Sequence, residues 1–130
     1  MADVVREWLE AYKRAWENRD PDAAAALFTA EARYREQPYQ EPFEGAAGVR
    51  AYWADVTATQ SDVEFRYGTP LVSGSRAVAE WWVTMKNGGV DVTLAGIFLL
   101  TFDDAGLCSD FIEYWHFSEG QLQPYPHWGS

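Results

Sequence analysis

A single cysteine, Cys108, stands in a chain of 130 residues. It cannot form an internal disulfide and has no partner cysteine for a zinc site, and nothing marks an oxidising compartment. Histidine is nearly as scarce: His116 and His127 are too few and too late for a zinc site, so no metal site is expected. Basic residues are outnumbered, with 10 Lys and Arg against 20 Asp and Glu and a net charge of −10. That balance argues against nucleic acid, because a phosphate backbone is held by basic patches that release its counterions. It also repels anionic membrane surfaces and favours neutral or cationic ligands. Long apolar runs are missing too. The first twenty residues are charged throughout, unlike a secretory or membrane-spanning segment, and the run Ala95–Leu100 is only strand-length, so a cytoplasmic protein is expected. The GxSxG, phosphate-loop and GxGxxG patterns do not occur, and no cofactor is expected.

What the chain has in quantity is aromatic rings, 16% of residues including seven tryptophans. Tryptophan and tyrosine combine a large apolar body with a polar tip, which suits pockets and interfaces as well as cores. The length fits one domain over residues 1–130, with 119–130 as an irregular tail. Val5, Trp8, Tyr12 and Trp16 recur at spacings of three and four, predicting an amphipathic helix over 4–18 with Asp3 as its N-cap and a Glu10–Arg14 pair. Asp20 followed by Pro21 predicts a second helix running through Ala23–Phe28. Residues 32–36 alternate as a strand, residues 37–45 carry two prolines and a glycine as a loop, and Val49, Tyr52, Trp53 and Val56 recur as a third helix. After Gln60 the period changes to two. Strands are predicted from Val63 to Tyr67, over 76–86, 90–102 and 107–117, with turns at Asn87-Gly88-Gly89 and Asp103–Gly106. Helices first and meandering strands later is an α+β order with an antiparallel sheet.

Two carboxylates fall on strand faces that otherwise read as inward. Glu36 shares its face with Tyr34, and Glu113 lies between Phe111 and Trp115. A charge on an apolar face is costly unless it is hydrogen-bonded, paired or kept protonated, and such residues point to functional sites. Each could instead reach solvent near the mouth of the sheet or meet a tyrosine or tryptophan tip. Tyr12, a phenol on the buried stripe of the first helix, either satisfies the fold or donates to a ligand. Trp16, Tyr34, Trp53, Trp81, Phe98 and Trp115 read as rings around a shared cavity, and Tyr39 in the Pro/Gly loop as a further ligand-binding residue. Trp82 then faces outward, where an exposed indole would suit a dimer contact.

The helix pair ending Ala26-Leu27-Phe28, the Ala32–Gly45 strand and loop, Val49–Trp53, Gly96-Ile97-Phe98 and Phe102–Gly106 occur in an order and spacing that resemble the NTF2-like (cystatin-like) superfamily. Within it the chain is similar to the ketosteroid isomerase-like and SnoaL-like polyketide cyclase branches, over Val4 to Phe117. The resemblance implies a cone-shaped fold, with three N-terminal helices on a strongly curved, mainly antiparallel sheet, often a homodimer, and a small apolar or aromatic ligand inside the cone. It implies a cofactor-free isomerase or lyase, a cyclase or dehydratase, with Glu36 at the position of the isomerase base and Tyr12 at that of its oxyanion donor. Phe98 stands where that branch has a second, acidic donor, so Glu113 would have to supply it from the neighbouring strand. Epoxide-hydrolase relatives need an inward Asp-Arg-Asp set, and no arginine reads as inward. A non-catalytic binding module or a dimeric interaction domain are the alternatives on the same fold.

Overall fold

A computed structural model describes all of residues 1–130. Helix α1 spans Ala2–Glu17 and buries Val5, Trp8, Leu9, Tyr12, Ala15 and Trp16, the stripe that the spacing predicts. Asp3 lies in its first turn, not at its N-cap, which is Met1 without a side-chain cap. The i,i+4 ion pair on this helix is Lys13–Glu17 rather than Glu10–Arg14; Glu10 accepts instead from the Tyr67 hydroxyl. Helix α2, Pro21–Ala25, starts as expected, with Asp20 accepting from the Ala23 amide at 3.1 Å.

It stops three residues short of expectation, and the sheet is the reason. The Leu27 carbonyl accepts both the Cys108 amide and the Trp8 indole, each at 2.9 Å, and Phe28 pairs with Cys108. Tertiary pairing outweighs the helical propensity of the alanine run. Strand β1 therefore runs over Phe28–Arg35 and ends one residue before Glu36. A two-residue strand, β2 (Phe43–Glu44), lies within the segment read as loop and pairs with Arg33 and Tyr34. Helix α3 follows over Gly45–Val56. Gly45 has φ +71°, and a Cβ there would meet the Ala30 carbonyl oxygen at 2.5 Å, so the β2–α3 corner requires glycine.

The remaining strands are β3 (Gln60–Tyr67), the short β4 (Leu71–Ser73), β5 (Arg76–Asn87), β6 (Val90–Phe102) and β7 (Cys108–Glu119). The order is β2-β1-β7-β6-β5-β3, with β4 on β5; only the β1–β7 pair is parallel. The sheet curves around the helices, and its inner face carries Phe65 from β3, Trp81, Val83 and Met85 from β5, Phe98 and Leu100 from β6, and Phe111 and Glu113 from β7, all buried. Trp81 is inward and Trp82 outward, as the alternation predicts. Trp82 is only partly exposed: its indole donates to the Leu122 carbonyl at 3.0 Å and meets the Trp128 ring edge-on, so the chain's own irregular tail packs against it. No helix is long and apolar enough to cross a membrane.

Candidate functional site

One end of the cone is closed by rings packed on rings. Trp8 meets Phe28 and Phe102 edge-on at 5.7 and 5.8 Å, and Phe111 stacks on Tyr34 at 4.2 Å. Toward the other end the rings separate around a cavity of about 350 Å³, a size suited to a small organic ligand. Tyr12 and Trp16 reach it from α1, Tyr52 and Trp53 from α3, and Trp81, Glu113 and Trp115 from the sheet. Tyr34 and Glu36, from the end of β1 and the bend after it, complete that wall. Gly96, the cross-strand partner of Trp115, leaves room for this wall: a Cβ there would lie 2.2 Å from the Tyr114 carbonyl oxygen and 2.9 Å from the Trp115 Cβ.

Eight of the ten candidate residues thus border one cavity: Tyr12, Trp16, Tyr34, Glu36, Trp53, Trp81, Glu113 and Trp115. Two do not. Tyr39 is 96% exposed, because the loop carrying it turns away from the cone. Phe98 is fully buried in the layer beneath, 5.3 Å from the Trp81 ring and 5.2 Å from Tyr12. Its cross-strand partner is Glu113, so that carboxyl stands on the strand next to Phe98. Sequence reasoning missed Asp55, Gln60 and Met85 as lining residues. Met85 shares the inward parity of Trp81, which was the available signal; no local pattern marks Asp55 or Gln60.

The two glutamates occupy different surroundings. Glu113 is buried, at 6% exposure, and makes no hydrogen bond within the chain. Desolvation, and then repulsion from Glu36, push its carboxyl well above the ordinary carboxylate range, which favours the protonated acid. Glu36 is half-buried, with its backbone carbonyl accepting the Trp115 indole at 3.0 Å, which fixes the bend that carries it. Burial, with the field of Glu113, also raises the phenols of Tyr12 and Tyr52, while for Tyr34 burial and the neighbouring Tyr12 act together, ahead of Glu113. All three therefore remain hydrogen-bond donors at neutral pH. Trp16 is positioned by donating to the Gln60 side chain at 2.8 Å. The indole N–H groups of Trp53 and Trp81, by contrast, are buried without an acceptor. No lysine, arginine or histidine lines the cavity, and no group of three or more His, Cys, Asp or Glu is arranged to hold a metal ion.

Comparison with known proteins agrees with this architecture. Residues 5–111 match the family model of the SnoaL-like domain. An epoxide hydrolase of the LEH-like type from Mycobacterium tuberculosis superposes with a TM-score of 0.74 at 16% identity, over 88% of this chain and 84% of its own. A protein of ketosteroid isomerase-like fold from Catenulispora acidiphila, solved with trimethylamine, gives 0.74 at 18% identity over 83% and 84%. RV0760c of M. tuberculosis gives 0.77 at 15% identity over 92% and 98%. No curated protein matches the chain.

Proposed function

The chain belongs to the SnoaL-like family, and from that premise we propose that it is a cofactor-independent acid–base enzyme acting on an apolar carbonyl compound. The observation that carries this reading is the pair of unlike carboxyl groups on one cavity, Glu113 buried and pushed well above the ordinary carboxylate range, Glu36 half-buried in the bend after β1. Titratable groups whose surroundings differ in this way divide acid and base roles between them. The Glu36 carboxylate removes a proton from the carbon next to the carbonyl. The electron pair moves onto the carbonyl oxygen, where the Glu113 acid and the Tyr12 phenol donate hydrogen bonds to the developing enolate. Return of the proton to another carbon gives isomerisation. Attack of the enolate on a second carbonyl of the same molecule gives cyclisation, the new alkoxide taking the proton held by Glu36, and expulsion of a β-hydroxyl gives dehydration, the same proton leaving with it as water. Twelve of the nineteen lining residues are hydrophobic, which supports an apolar body for the substrate. The absence of an arginine from the lining speaks against epoxide hydrolysis by the arginine-dependent route.

Turnover of a panel of enolisable ketones, diketones and β-hydroxyketones tests the proposal. Amine-bearing members belong in the panel, since a similar fold was solved with trimethylamine. Glu36→Gln should lower turnover by about 10²–10⁴-fold while binding survives, and Tyr12→Phe should cost less because Glu113 also donates. Ligands that raise the melting temperature with no turnover anywhere in the panel would leave a binding module in place of an enzyme. A homodimer and a cytoplasmic location belong to the same proposal. Ile97 and Tyr114, cross-strand neighbours on the outer face at 43% and 52% exposure, are the patch to test, and sedimentation as a monomer at micromolar concentration would remove the dimer.

A further inference from the structure

The charged groups bordering the cavity all have one sign. Asp55 stands exposed at the end of α3 and Glu36 half-buried in the bend after β1, and neither forms an ion pair with a basic side chain. The same lining carries four indoles, of Trp16, Trp53, Trp81 and Trp115. Trp16 lies 5.9 Å from both Trp53 and Trp81, so three of these rings form a continuous aromatic surface. Within the same lining Glu113 is a carboxyl more than nine-tenths buried, without a hydrogen-bond partner in the chain. It is an unfilled polar position that points to a ligand rather than to the fold.

An indole face attracts a cation through its quadrupole, most strongly where water is excluded, and tryptophan is the best residue for this. The carboxylates at the rim add Coulomb attraction for a positive charge and repel a negative one, and the net charge of −10 extends that field outward. A quaternary or protonated amine gains from both terms, a neutral group of the same shape from neither, and an anion meets only repulsion. We infer that the cavity selects substrates bearing a cationic nitrogen, seated against the tryptophan rings that share the lining with Asp55 and Glu36. The inference rests on the proposed small-molecule pocket and deepens it by adding a cationic nitrogen to the otherwise apolar body of the carbonyl substrate. It excludes substrates presented as carboxylates, phosphates or phosphate-bearing thioesters.

Three probes of nearly one shape separate the charge from the shape: 4-hydroxyphenyltrimethylammonium, its carbon isostere 4-tert-butylphenol, and 4-hydroxybenzenesulfonate. Their binding to the full chain at neutral pH is read by titration calorimetry and by quenching of tryptophan fluorescence. The ammonium compound is expected to bind about tenfold or more tighter than the isostere, and the sulfonate not measurably. Asp55→Asn, a change at an exposed position, should weaken the ammonium compound by about three- to fivefold and leave 4-tert-butylphenol unchanged. Equal affinity for the ammonium compound and its isostere would overturn the cation inference while leaving the pocket reading intact. Indifference of the ammonium compound to both Asp55→Asn and Glu36→Gln would overturn it as well. Binding of none of the three would remove the inference and the pocket together.

Discussion

The closed and open ends of the cone are built from the same kinds of residue and reach opposite results. At the closed end Trp8, Phe28, Phe102 and Phe111 pack ring on ring, and the one indole N–H there, that of Trp8, is satisfied by the Leu27 carbonyl. At the open end Trp53 and Trp81 are equally buried, yet their N–H groups have no acceptor and their rings border empty space. Unpaired buried donors and a buried carboxyl without a partner each cost stability. The closed end is packed as a core, and the open end keeps unpaired polar groups beside a void.

The contrast breaks most easily by truncation. Phe111→Ala, at a fully buried ring stacked on Tyr34, should cost about 3–5 kcal/mol in urea unfolding. Trp53→Phe should stay within about 1 kcal/mol, because it shortens a ring beside an existing void and deletes an unpaired donor. Comparable losses at the two positions would mean that the open end is packed like the closed one.

The pH dependence of stability sharpens the same contrast. Glu113 has a folded pKa above its unfolded value near 4.5, so between the two values the folded state holds one proton more than the unfolded state. Its contribution is fully present below the unfolded value and is lost as pH rises through the folded one, with a slope of up to about 1.4 kcal/mol per pH unit. Glu113→Gln has no such proton to lose, so its stability relative to the natural chain should improve as pH rises from about 5 toward neutrality. A parallel pH profile for the two proteins would contradict a protonated Glu113. The smallest effect is expected at Tyr39→Ala, within about 0.5 kcal/mol and without change in ligand binding, since that ring is in solvent.

The long strands show how far the sequence is legible. In β5 and β7 strict alternation puts Trp81 inside and Trp82 outside, and gathers Phe111, Glu113 and Trp115 on one face. The first helix is equally plain from its stripe. Legibility fails where distant partners decide. Leu27 and Phe28 continue a helical alanine run in sequence, and only the contacts with Trp8 and Cys108 turn the chain at Leu27 and start the strand at Phe28. Phe98 and Trp81 share inward parity, but how deep each ring sits along the cone is set by curvature that periodicity does not encode, so one borders the cavity and the other lies beneath it. Tyr39 is an aromatic in a loop, and nothing local says which way that loop turns. The proposed division of labour between Glu36 and Glu113 came only from the family resemblance: periodicity reads both as inward, and the fold alone shows Glu113 buried on β7 and Glu36 half-buried in the bend after β1.

That division is the centre of the account, and infrared difference spectroscopy tests it most directly. The spectrum of the unliganded natural chain minus that of Glu113→Gln, at pH 7, should contain the carbonyl stretch of a protonated carboxylic acid, which moves to lower frequency when a ketone ligand accepts its proton in a hydrogen bond. Loss of a carboxylate band in place of the acid band would show Glu113 ionised at neutral pH, and the assignment of acid and base in this cavity would fall.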